Sequence, residues 1–88
     1  MALRALILGK KLTEARARLE ELRAKDAEFE KRESDLAEAI EEAESEEDRE
    51  AVEALVEEFE TEKAAHEEEK KNLEEEISDM EGELEKFT

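Results

Sequence analysis

The sequence contains no cysteine, proline, tryptophan or tyrosine, and only two glycines and three phenylalanines. Without cysteine there is no disulfide framework, and redox compartment cannot be read from thiols. The isolated Gly9 and Gly82 cannot build a glycine-rich phosphate loop, and nothing here assembles a nucleophilic triad. Met1 to Leu8 is apolar but too short for a signal-peptide core, and no run approaches the ~20 apolar residues of a membrane span. Charged residues make up 51% of the 88-residue chain. High charge with few aromatics is also a mark of disorder; the apolar pattern described next argues against that, because a disordered tail has no reason to keep a seven-residue register.

What is present is a heptad seam. With Leu12 at a, the a and d positions of the first half are Leu12, Ala15, Leu19, Leu22, Asp26, Phe29, Glu33, Leu36, Ile40 and Ala43. The second half repeats the pattern with Val52, Val56, Phe59, Lys63, His66, Lys70, Leu73, Ile77, Met80, Leu84 and Phe87. The e and g flanks of the first half, Lys11, Arg16, Arg18, Arg23, Lys25, Glu30 and Arg32, are nearly all basic. Those of the second, Glu60, Glu62, Glu67, Glu69, Glu74, Glu76, Glu81 and Glu83, are all acidic. Charges at e and g select which helix can dock beside a seam. Half one is therefore expected to pair with half two, and like halves to repel.

Net charge follows the same division. Residues 1–25 carry +4 and the remainder −21, within a total of −17. An antiparallel arrangement lays the basic start against the acidic end, whereas parallel pairing of identical chains stacks acid on acid. The expected fold is all-α: one domain over residues 1–88, an antiparallel two-helix coiled-coil hairpin with a helix over about 2–43, a turn over about 43–46 and a helix over about 46–87. The core is thin, so the hairpin is expected to self-associate. The turn rests on a phase slip, because the d positions Ala43 and Val52 stand nine apart rather than seven. Ser45 followed by Asp48 suits a helix N-cap, and Glu46, Glu47 and Asp48 then sit where the helix dipole favours negative charge. No residue from Glu41 to Glu50 forbids helix. One long helix in an antiparallel dimer meets the same charge rules and stays open as the alternative.

Polar residues interrupt the seam at Asp26 and Glu33 in the first arm and at Lys63, His66 and Lys70 in the second. Folded at the turn with Leu36 facing Val56, Asp26 faces His66 and Glu33 lies a layer from Lys63; a one-heptad slip gives other pairs with the same match of acid to base. Polar seam residues sacrifice stability and select register, so these five are expected to align the arms. Leu3, Leu6, Ile7 and Leu55 fall off the seam and are candidates for contacts between molecules.

Catalysis and cofactors find no residues to use. His66 opens His-Glu-Glu-Glu-Lys, but a zinc-protease helix needs a second His where Lys70 stands, and a lone His with no Cys cannot hold zinc. A di-iron bundle needs two Glu-x-x-His motifs and this chain has one His. No calcium loop motif occurs. The expectation is no enzyme, no cofactor or metal and no small-molecule ligand. The strongly negative total repels phosphate, so nucleic acid is not an expected partner; an acidic mimic of DNA stays open as a minor reading.

The opening Met-Ala-Leu-Arg-Ala-Leu-Ile-Leu-Gly-Lys-Lys-Leu, the stretch Leu-Arg-Ala-Lys-Asp-Ala-Glu-Phe-Glu-Lys-Arg-Glu and the stretch Ala-Ile-Glu-Glu-Ala-Glu-Ser-Glu-Glu resemble the start of tailed-phage major capsid proteins. There, a helical N-terminal scaffolding segment, the delta domain, precedes the capsid fold. The resemblance implies a built-in scaffold that gathers capsid subunits inside the immature shell. It also implies partners that are other copies and capsid subunits, and a location in the host cytoplasm, within the procapsid. The capsid fold is not among these residues, and no cleavage site is marked. A coiled-coil adaptor or chaperone-like module that binds another protein is the alternative function, and a designed hairpin with no biological task is a third.

Overall fold

The computed structural model describes residues 2–87; Met1 and Thr88, which the 1–88 domain includes, lie outside them. The described residues form helices α1 (Ala2–Ala24), α2 (Asp26–Glu42) and α3 (Glu46–Glu85), with no strand among them. The molecule is a rod of 68 × 16 × 14 Å. A 40-residue α3 spans ~60 Å at 1.5 Å per residue, so the long dimension is that of one arm, and α1 and α2 lie alongside it as a helical hairpin. No helix among the described residues is long and apolar enough to cross a membrane.

The reversal occupies residues 43–45. Ala43 leaves the helical region at φ −71°, ψ 111°, and its N–H donates to the Ala39 carbonyl at the end of α2. Ser45 is extended (φ −86°, ψ 159°), and its Oγ accepts the Asp48 N–H at 3.1 Å. This satisfies one of the amide groups that a helix start leaves without a partner. Glu46, Glu47 and Asp48 fill the acidic first turn. Arg49 Nε donates to the Ala43 carbonyl at 3.5 Å, so the turn is also tied from its far side.

The first arm is not one continuous helix, as expected over about 2–43, but bends at Lys25. The Lys25 N–H donates to the Leu22 carbonyl three residues back, at 3.1 Å, and the next ladder bonds begin at the Lys25 carbonyl. A single tightened turn of this kind breaks the four-residue ladder and redirects the helix without glycine or proline. The second arm ends at Glu85, short of the expected 87: Lys86 and Phe87 form turns whose N–H groups reach back three residues to Glu83 and Leu84.

Packing is uneven along the rod. Leu8, Leu12, Leu19 and Leu22 of α1 are buried, as are Phe59 and Ile77 of α3. Leu12, Leu19 and Ile77 form one cluster, against which Ala15, Leu73, Met80 and Leu84 pack. No residue of α2 is buried. Ile40 and Phe87, both expected in the seam, are 55% and 47% exposed. After the bend at Lys25 the face of α2 turned toward α3 carries Leu36, Ala39 and Ala43, all partly buried, and Ile40 lines an open groove between the two helices. Phe87 lies beyond the last helical turn and leaves the stripe.

Leu22 is 2% exposed. Leu22→Ala should therefore remove about 2–5 kcal/mol of stability, while Ile40→Ala should stay under about 1 kcal/mol; urea-melt midpoints read both. Ser45→Ala should remove about 1 kcal/mol through the lost cap, seen as a lower thermal midpoint with near-unchanged helicity at low temperature.

Candidate functional site

Four ion pairs join the basic flank of the first arm to the acidic flank of the second. Arg16 meets Glu81 at 2.6 Å, Arg18 meets Glu69 at 2.8 Å, Arg23 meets Glu74 at 3.6 Å, and Arg32 meets Glu62. The Glu69 carboxylate holds the Arg18 guanidinium still more firmly in its charged form than usual, through their hydrogen bond. These side chains are about half exposed. Each pair alone is therefore screened and weak, and their significance is that they all agree in sign.

At mid-rod the seam becomes polar. Asp26, the first residue after the bend, reaches α3 and accepts from two bases. His66 Nε2–H donates to Asp26 Oδ1 at 2.7 Å, and Lys70 Nζ donates to Oδ1 and Oδ2 at 2.8 and 3.0 Å. An ionised carboxylate has only acceptors, so the imidazole must present an N–H to it. The His66 ring is 6% exposed and stacks on Phe29, with centroids 4.5 Å apart and planes at 23°. Phe29 also meets Phe59 at 6.0 Å, and the Arg32 guanidinium lies over both phenyl rings, 5.5 and 5.2 Å from their centroids. Lys63 Nζ approaches Glu33 at 3.4 Å and the Phe59 ring at 5.9 Å.

The structure thus brings together all five polar seam residues, as an Asp26–His66–Lys70 cluster and a looser Glu33–Lys63 pair. The expectation that a one-heptad slip keeps acid on base does not survive this geometry. Moving α3 by seven residues one way puts Leu73 and Ile77 opposite Asp26; moving it the other way puts Val56 opposite Glu33. Each slip strands one carboxylate against apolar side chains, which is unfavourable.

Sequence reasoning missed the aromatic part of this knot. Phe29, Phe59 and His66 were all seam positions, but their stacking depends on side-chain rotation, which heptad spacing leaves undetermined.

The Lys70 hydrogen bonds, then that of His66, hold the Asp26 carboxyl below its ordinary pKa. The Asp26 hydrogen bond raises Lys70, with partial burial opposing it. Asp26, His66 and Glu67 also offer ligand atoms within 4.8 Å of one another, the one such group among the described residues. Its cationic position is filled by the Lys70 ammonium, which bridges Asp26 and Glu67, the latter at 3.4 Å. Every buried side-chain nitrogen and oxygen among the described residues has a hydrogen-bond partner.

Of the off-seam apolar residues, Leu3 is 75% exposed and Leu6 66%; Ile7 and Leu55 are about half exposed. The first three share one helix face at the tip of the rod that holds the start of α1 and the end of α3. Leu55 lies alone near the turn.

Comparison with known proteins finds no matching family model, curated protein or solved structure.

The Asp26 shift fixes the sign of a pH response. The unfolded chain binds an acidic-range proton more tightly than the folded one, so the Asp26 contribution is complete above about pH 3.9 and disappears as pH falls through the lowered folded value. The Lys70 contribution has the opposite sense and is lost above about pH 10.4 as pH rises through its raised folded value. Thermal midpoints of wild type and Asp26→Asn should therefore differ most near neutrality and converge as pH falls through the lowered folded value of Asp26; a gap that does not change with pH would contradict the pairing.

Proposed function

We propose that this chain is a self-associating assembly module: an antiparallel two-helix coiled-coil hairpin that holds protein subunits at a set spacing. On this reading it works as the scaffolding segment of a tailed-phage major capsid protein does, the family its sequence resembles. Its partners are further copies of itself and capsid subunits, and its place is the interior of the immature shell in the host cytoplasm. Asp26, Glu33, Lys63, His66 and Lys70 set the register of the arms.

The observation that carries this reading is the sorting of charge by sign. In the four arginine–glutamate pairs along the rim, each arginine comes from the first arm and each glutamate from the second. A chain organised this way specifies how helices dock. A 68 Å rod suits a spacer. Its closed leucine core is confined to α1 and the facing part of α3, so association with neighbours is left to add stability. A net charge of −17 within a shell repels DNA, which fits a filling that leaves before packaging. The exposed Leu3, Leu6 and Ile7 favour a second reading, an adaptor or chaperone-like module whose tip grips another protein.

Two measurements test the proposal. Light scattering should show mass rising with concentration, and fusion to a shell-forming capsid domain should promote ordered assembly. A chain that stays monomeric at millimolar concentration and does nothing for the fused shell overturns the scaffold reading. Reversing Arg16, Arg18, Arg23 and Arg32 to Glu should lower helicity and the thermal midpoint, and reversing Glu62, Glu69, Glu74 and Glu81 to Lys in the same chain should restore both. An unchanged melt in the first variant would show that rim charge does not direct the pairing.

A further inference from the structure

The two halves of the rod leave different surfaces unused. Beside the turn, α2 and α3 enclose no buried α2 residue, and an open groove runs between them. Its floor is Leu36, Ile40, Val56 and Phe59, with the small Ala37 and Ala64 on its walls. The groove continues toward the turn past Val52, under a rim that includes Glu53, Glu57 and Glu60. These rim carboxylates form no ion pair among the described residues, and the nearby cations are already engaged: Lys63 with Glu33, and Arg49 with the Ala43 carbonyl. At the far end of the rod, Leu3, Leu6 and Ile7 stand at i, i+3 and i+4 on one face of α1, with Lys10 continuing that stripe and Arg4 beside it. Arg4 and Lys10 likewise form no ion pair among the described residues. One end therefore carries an apolar stripe with free cations, the other an apolar groove with free anions.

We infer that copies of this chain join head to tail, the basic apolar tip of one molecule docking in the acidic apolar groove beside the turn of the next. The inference rests on the self-association proposed above and specifies its geometry. A tip cannot reach its own groove, because ~50 Å of helix at 1.5 Å per residue separates Leu6 from Ile40. Tip-to-tip pairing brings cation to cation, and groove-to-groove pairing brings acid to acid; only tip-to-groove joins opposite charges. The i, i+3, i+4 stripe is the pattern by which an amphipathic helix fills a groove. The alanines on the groove walls leave room for another helix to approach. A contact between two different patches leaves one of each free on every new member, so it propagates into open chains or closes only as a ring.

The cysteine-free sequence makes pairing directly readable. Leu6→Cys and Ile40→Cys chains, treated separately with a short thiol-to-thiol cross-linker, should stay single. A mixture of the two should give a covalent dimer, and the Leu6→Cys/Ile40→Cys double variant a ladder of multimers. Arg4→Glu with Lys10→Glu should weaken association about tenfold or more at unchanged helicity by circular dichroism, and Glu57→Lys with Glu60→Lys in the partner chain should recover it. If wild type associates but the single-cysteine chains cross-link to themselves, or the mixture gives no dimer, the head-to-tail geometry is overturned while self-association stands. If wild type is monomeric under the same conditions, both are overturned.

Discussion

An aspartate in a helix seam needs a cation on the opposing helix, and Asp26 has two bases there. Lys70 and His66 both donate to it, and the rest of the middle of the rod is arranged around that carboxylate. The imidazole is pinned by Asp26 on its edge and Phe29 on its face. Phe29 brings in Phe59 and the Arg32 guanidinium, and Arg32 ends on Glu62. A single acidic side chain thereby connects the seam to the charged rim. The buried polar atoms of the cluster are hydrogen-bonded, and on the proposed reading it contributes more to choosing one alignment than to the depth of the core.

The bend at Lys25 directly precedes this aspartate and divides the rod into two regimes. Before it, α1 packs leucine at successive turns against Leu73, Ile77, Met80 and Leu84, and the core is closed. After it, α2 faces α3 through Leu36, Ala39 and Ala43, side chains too few and too small to close the gap. Ile40 lines the open groove between the two helices and stays 55% exposed. A tightly zipped half and a half-open half in one hairpin give a rod whose ends differ in shape as well as charge. On the proposed head-to-tail reading, that asymmetry is what favours chain-like association over simple dimerisation.

The carboxylates are either matched to bases across the seam or exposed on the rim, and the cationic centre of the densest polar cluster is an ammonium group. On the proposed reading, function lies in surfaces and spacing, where weak interactions of consistent sign act together. Individually screened ion pairs become directional when four of them point the same way.

Helical content, the position of the reversal and the sign of each rim were legible in the sequence because each depends on neighbours along the chain. A seven-residue apolar repeat marks a seam; a serine three residues before an acidic residue can cap a helix; e and g charges flank a seam wherever it goes. The meeting of Asp26 with both His66 and Lys70, the stacking of Phe29, Phe59, His66 and Arg32, the bend at Lys25 and the exposure of Ile40 in an open groove were not legible. They depend on how one arm rotates against the other, by fractions of a turn that heptad spacing does not encode. The repeat determined which faces meet; only the packed pair of arms decided how far they rotate, and therefore which apolar residues are sealed in the core and which remain exposed.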